Sequence, residues 1–160
     1  MWPEPVERVA AELRAGAAEA TIQEFPDGTP TAEAAARAIG CTLAEVLKSI
    51  VFVCDESVVV ALIPGDRRAD ESKVAAAVGA AGARVAHARE VRAATGYEPG
   101  GVAPFRLPAV ETILLEQTSL GHGRVWIGAG SPSHMAGLAP GELQRITGAR
   151  AADLVASRSS

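Results

Sequence analysis

Aromatic side chains make up only 4% of this sequence, so its core must be built from valine, isoleucine, leucine and alanine. It has two cysteines, Cys41 and Cys54. Two are too few for a disulfide framework, and their spacing matches no metal-ligand pattern, so no metal site is expected. Cys54 closes an apolar segment and reads as a small core residue. Lysine is almost missing: Lys48 and Lys73 stand against thirteen arginines. Positive charge is not in excess either. The formal net charge of −4 excludes a general, high-affinity nucleic-acid binder but not a protein that touches a few phosphates. The longest apolar runs are five to seven residues, far short of the roughly 20 that span a bilayer. The N-terminus lacks a basic segment followed by an apolar stretch, so no secretory leader is read and a cytoplasmic protein is expected.

What is present is 48% hydrophobic and 21% charged, over a length suited to one domain. The expected unit is residues 1–155, with Ala-Ser-Arg-Ser-Ser at 156–160 as a flexible tail. Val6, Val9, Ala10 and Leu13 recur at helical spacing and Gly16 stops them. Thr21–Phe25 alternates as a strand before the turn Pro26-Asp27-Gly28. Thr31 caps an alanine-rich helix that ends at Gly40, and Thr42 with Glu45 forms a capping box. Two apolar runs, Ser49–Cys54 and Val58–Ile63, flank Asp55-Glu56-Ser57 as a hairpin. Helices are expected at 70–78, 89–94 and from Pro140 to Gly148, and strands at 84–86, 110–116, 124–127 and 134–138. This mixture predicts an α+β fold, a mixed sheet with flanking helices.

Three stretches can carry chemistry. Lys48 begins a strand, on the face it shares with Ile50 and Phe52. It is either an edge lysine whose stem covers the core or a cation at the mouth of a pocket. "GYEPGGVAPF", 96–105, is either an ordinary loop or a cradle of backbone N–H groups centred on Gly100, Gly101 and Val102. No G-K-[ST] follows it, and no GxGxxG lies within it, so it is neither a P-loop nor a dinucleotide fingerprint. "GAGSPSH", 128–134, reads as a backbone-rich turn between two strands, with His134 facing either core or pocket. There is no Ser-His-Asp order and no carboxylate pair, so an enzyme built this way works by positioning and backbone electrostatics.

In order, "TPTAEAAARAIGC", "EVLKSIVFV", "GYEPGGVAPF" and "VWIGAGSPSHMAGLAPGELQRITGA" resemble the YbaK family, the editing domain also inserted in bacterial prolyl-tRNA synthetases. The similarity covers roughly residues 25–148. It implies a curved, barrel-like sheet flanked by helices. It also implies a trans-editing hydrolase that needs no cofactor and cleaves the ester of misacylated tRNA, such as proline tRNA carrying Cys or Ala. The implied partners are the tRNA acceptor end and a prolyl-tRNA synthetase. Lys48 matches the family's main functional lysine. Gly100 and Pro104 match its GxxxP loop, with Gly101 as the second glycine, and Gly128, Ala129 and Gly130 match a turn lining the pocket. His134 stands where some members place a histidine. Thr31, Ile50, Phe52, Tyr97 and Val102 complete the expected substrate-binding set. Ala103 departs from the serine of many relatives, and Phe105-Arg106 replaces a smaller pair, which bears on amino-acid specificity. The alternative is a non-catalytic module that binds an aminoacyl-adenosine-like ligand or a synthetase.

Overall fold

A computed structural model describes residues 2–157. Helix α1 (Glu4–Ala15) buries Val6, Val9, Ala10 and Leu13, the stripe its 3.6-residue spacing predicts. It leads to β1 (Ala20–Glu24) and then α2 (Ala32–Ile39). The Thr31 hydroxyl caps α2 by accepting the Ala34 N–H at 3.0 Å. A single 3₁₀ turn, closed by the Thr42–Glu45 capping box, delivers the chain into β2 (Leu47–Cys54). The remaining elements are β3 (Ser57–Pro64), α3 (Glu71–Ala77), β4 (Ala83–Val85), α4 (Ala88–Thr95), β5 (Thr112–Glu116), a second 3₁₀ segment (Gln117–Gly121), β6 (Val125–Ser131), β7 (His134–Leu138), α5 (Pro140–Thr147) and β8 (Arg150–Ala152).

The strands form two sheets, not a closed barrel. One is antiparallel, in the order β1-β7-β6. The other is mixed, in the order β4-β2-β3-β5-β8; β2 pairs antiparallel with β3 and β4, while β3–β5 and β5–β8 are parallel. A parallel bridge between Val46 and Trp126 links the two. The expected curved sheet is this pair, folded over a shared core. Leu47, Val51, Val60 and Leu62 of one sheet meet Val125, Ile127, Ala136 and Leu138 of the other. Burying each such side chain contributes about 1.5–3 kcal/mol.

Alternation sends the opposite face of β2 and β3 into a second cluster, where Phe52, Ala61 and Ile63 pack under Val74 of α3 and Leu154. Strand β3 is thus covered on both faces, which explains its unbroken run of apolar residues. Glu116, wholly buried, ties β5 to the C-terminal segment: its carboxylate accepts the Leu154 N–H at 2.9 Å and the Thr118 N–H at 2.8 Å. Ala156, in the stretch expected as tail, donates its N–H to the Arg68 carbonyl at 2.8 Å. Residues 158–160 of that stretch lie outside the described residues.

Candidate functional site

A cavity of about 410 Å³ opens between the two sheets. Its size lies within the range of small-ligand sites. Thr29 to Ala32, at the entry to α2, form one wall, and Leu47 to Val51 of β2 form another. Pro99, Gly100 and Val102 bring in the glycine-rich loop; Gly128, Ser131, His134 and Met135 bring in the β6–β7 hairpin. Four stretches far apart in sequence therefore converge. The lining is mostly apolar, and among the described residues it contains no carboxylate.

Lys48 is half-buried, on the β2 face it shares with Ile50 and Phe52, and its Nζ donates to the Arg67 carbonyl at 3.2 Å. Lys48 lines the cavity beside Leu47 and Ile50, and its ammonium is drawn to the loop of Arg67. Among the described residues the ammonium is held by one neutral carbonyl, which leaves its other donors for an incoming anion.

The loop positions its amides less uniformly than expected. The Gly101 N–H is taken by the Glu98 carbonyl at 2.9 Å, closing a turn in which Gly100 adopts φ +86°. The amides of Gly100 and Val102 have no hydrogen-bond partner among the described residues. Two of the three candidate donors therefore stay free, and both residues line the cavity. Gly101 is buried in the turn, and Pro104 is buried beside it.

The "GAGS" stretch is strand, not turn: β6 continues to Ser131, and Pro132-Ser133 makes the reversal. An irregularity in pairing between Gly128 and Ser131 lets β6 bend there. Gly128 lines the cavity, with space for a Cβ only at 3.4 Å from the Val102 carbonyl oxygen. Ala129 points into the core, and Gly130, at φ +100°, lies against the backbone of Pro5.

His134 is 2% exposed at the foot of the hairpin. Its Nδ1 lies 2.6 Å from the Ser131 hydroxyl, which already accepts the Ser133 N–H at 3.0 Å. The Ser131 hydroxyl and Nδ1 thus share one hydrogen bond whose direction follows the ring's tautomer. Nε2 has no hydrogen-bond partner among the described residues and faces the Glu24 carboxylate at 3.5 Å. The Trp2 ring meets the imidazole edge-on, with centroids 5.7 Å apart.

Thr31, Lys48, Ile50, Gly100, Val102, Gly128 and His134 thus share one cavity. Gly101, Pro104, Ala129 and Gly130 are not among its lining residues, and neither are Phe52 and Tyr97. Phe52 is wholly buried in the cluster beneath α3. Tyr97 belongs to the main core with the Arg8 guanidinium 5.9 Å from its ring centroid. Burial pushes the Tyr97 phenol up, against the opposing pull of Arg8. Arg106, in the pair that departs from the family pattern, pairs with Glu12 at 3.0 Å on a different groove. Sequence reasoning passed over Ser49, Ser131 and Val85, which also line the cavity. Strand alternation alone put Ser49 on the Val51 face, the one signal that pointed to it.

The profile of the aminoacyl-tRNA editing domain matches residues 27–146, which takes in every wall of this cavity. A proline–tRNA ligase of Xanthomonas oryzae pv. oryzae is 31% identical over 137 residues, 83% of this chain. The chain spans only 24% of that ligase. A protein of Enterococcus faecalis described as a candidate Cys-tRNA(Pro)/Cys-tRNA(Cys) deacylase is 27% identical, over 78% of this chain and 76% of its own length. The crystal structure of a candidate trans-editing enzyme for prolyl tRNA synthetase superposes with a TM-score of 0.90 at 32% identity, covering 98% of this chain and all of that one. The chain belongs to the aminoacyl-tRNA editing domain family.

Proposed function

We propose that this protein is a trans-acting deacylase that hydrolyses the ester between a small, wrongly attached amino acid and the terminal adenosine of a tRNA, proline tRNA first among the candidates. What supports this reading is that Lys48, Gly100 and Val102 line one mostly apolar cavity, with the amides of the two loop residues unbonded among the described residues. An aminoacyl ester is already activated, so hydrolysis asks mainly for orientation and for stabilisation of the oxyanion that forms when water attacks. Free, preorganised amides suit that task, and each such donor is worth about 3 kcal/mol of barrier. Lys48 suits the phosphate or the ester oxygen at the rim. The described cavity lining offers no carboxylate base, so the proton is best relayed from the attacking water to the departing ribose oxygen through a substrate group, such as the neighbouring ribose hydroxyl, which gives up its own proton as it receives one.

A second checking site has a physical purpose here. An apolar pocket separates side chains differing by one methylene by only about 1–3 kcal/mol, too little for translation. The similarity to proline–tRNA ligases makes a prolyl-tRNA synthetase the natural partner. The test is to incubate the protein with proline tRNA charged with Cys, Ala, Ser or Pro and to follow loss of the ester. Release from at least one misacylated species, with Pro retained, is expected. No release from any species overturns the reading in favour of a binding module.

A further inference from the structure

A second concavity of about 520 Å³ adjoins the cavity and shares Lys48, Ile50 and Val85 with it. Its charged lining is Lys48, Arg67 and Arg68 against one carboxylate, Glu71. In a protein of net charge −4, this local excess of cations stands out. We propose that this groove binds the phosphodiester backbone of the single-stranded RNA leading to the esterified adenosine, with Arg68 as its principal contact. The inference rests on the deacylase reading and adds to it the path by which the substrate strand enters.

The loop that carries the arginines is held from several sides. Its Arg67 N–H donates to the Pro64 carbonyl at 3.1 Å, and its Arg67 carbonyl accepts from Lys48 at 3.2 Å. The Arg67 guanidinium donates to the Ala156 carbonyl at 2.8 Å, and Ala156 returns its N–H to the Arg68 carbonyl at 2.8 Å. Ala69 and Val155 form an antiparallel bridge beside them. Arg67 is therefore mainly a brace. Arg68 is exposed, and its guanidinium has no partner among the described residues. A planar fork displayed on a fixed backbone loses little freedom when it grips a phosphate in two places.

Val85 lies at the junction. It is 52% exposed although its strand is paired through Phe52 of β2, and it lines both concavities. An exposed apolar side chain between an anion groove and an ester pocket offers a rest for the face of a base. Lys48, common to both, marks where the strand passes from groove to pocket. A few contacts of this kind suit an acidic protein that grips only one end of an RNA.

The experiment uses a labelled single-stranded RNA ending in CCA, read by fluorescence anisotropy, beside hydrolysis of misacylated tRNA and of the corresponding aminoacyl-adenosine. Arg68→Ala is expected to weaken strand binding and raise KM for the tRNA about tenfold, the size of one charge-assisted contact. It should also flatten the log K against log salt slope by about 0.7, one phosphate's share for a single strand. Arg68→Lys should recover part of the loss, and Arg14→Ala, which lines neither concavity, should change nothing. Hydrolysis of aminoacyl-adenosine should stay at the wild-type rate, since that substrate has no upstream phosphate. Unchanged strand binding in Arg68→Ala overturns the proposal. So does an equal loss on aminoacyl-adenosine, which would place Arg68 in the pocket itself. A wild-type protein that cleaves no ester yet binds the strand through Arg68 would sink the deacylase reading and leave the groove standing.

Discussion

The Lys48 ammonium rests 3.2 Å from the carbonyl oxygen of Arg67, and Lys48 lines both the cavity and its neighbouring groove. That contact stabilises the loop only modestly, because a partly exposed hydrogen bond is worth about 1 kcal/mol. Lys48→Ala is therefore expected to fold normally, with a urea midpoint close to wild type. Its hydrolysis of misacylated proline tRNA should fall tenfold or more, matching loss of a charge-assisted contact of about 1.5–3 kcal/mol. Lys48→Arg keeps the charge but sets a planar fork where a point charge stood, and should recover only part of the rate. Wild-type kinetics in Lys48→Ala would remove this residue from the mechanism.

Two glycines of the expected site should respond in opposite ways. Gly100 sits at φ +86° with nothing within 4 Å of the place a Cβ would occupy, so Gly100→Ala meets conformational strain alone. That strain is about 1–2 kcal/mol, and relieving it turns the peptide that presents the free amide. Activity should drop more than stability. Gly130, at φ +100°, would bring a Cβ to 2.9 Å from the backbone of Pro5, where nothing flexible can yield. Gly130→Ala should thus lower the melting temperature sharply, with kcat per folded molecule less affected. Paired thermal melts and single-turnover assays separate the two outcomes.

How much of this was legible beforehand follows from what each residue's neighbours are. Helices α1 to α5 and the β2–β3 hairpin declare themselves through local periodicity and caps, so their sequence signals sufficed. Strand β8 did not, because Arg-Ala-Ala carries no alternation and is a strand only by its parallel pairing to β5. Gly128 to Ser131 resembled a turn because glycine is rare inside strands; there, the close approach of the Pro5 backbone requires it at Gly130. The convergence of Lys48 with Gly100 came from family resemblance, since no local rule brings positions so far apart in the chain together. The groove of Arg67 and Arg68 was invisible for the same reason. Its shape depends on residue 156, whose sequence suggested only a loose end.

The buried carboxylate of Glu116 should prove costly to remove. It satisfies the Leu154 and Thr118 amides at 2.9 and 2.8 Å from a wholly enclosed position. Glu116→Ala leaves the buried Leu154 N–H and the part-buried Thr118 N–H without partners and opens a void, for a loss of roughly 3–5 kcal/mol. Glu116→Gln keeps one acceptor and should lose less. Because Leu154 and Val155 anchor the segment that braces Arg67, tRNA binding should weaken alongside stability. Chemical denaturation of both variants measures the first effect. A fully stable Glu116→Ala would contradict the role of this carboxylate as the tie between β5 and the C-terminal segment.

Acid should loosen the base of the glycine-rich loop through Glu90. The Arg84 guanidinium, gripping Glu90 through two bonds of 2.8 Å, holds its carboxyl at about 2, helped by the His87 N–H at 2.8 Å. The ordinary value is 4.5. A carboxyl whose folded value is depressed contributes stability that is complete above 4.5 and vanishes as pH falls toward 2. Glu90 closes the N-terminal turn of α4, and α4 runs through Gly96 directly into the loop that presents Gly100. Urea midpoints measured from pH 6 down to 2 should therefore show a stability gap between wild type and Glu90→Gln. That gap should be constant above about pH 5 and close steadily below it. Other carboxylates titrate equally in both proteins, so the difference isolates this one group. A gap that ignores pH would mean that Glu90 supports α4 by packing, not by its charge.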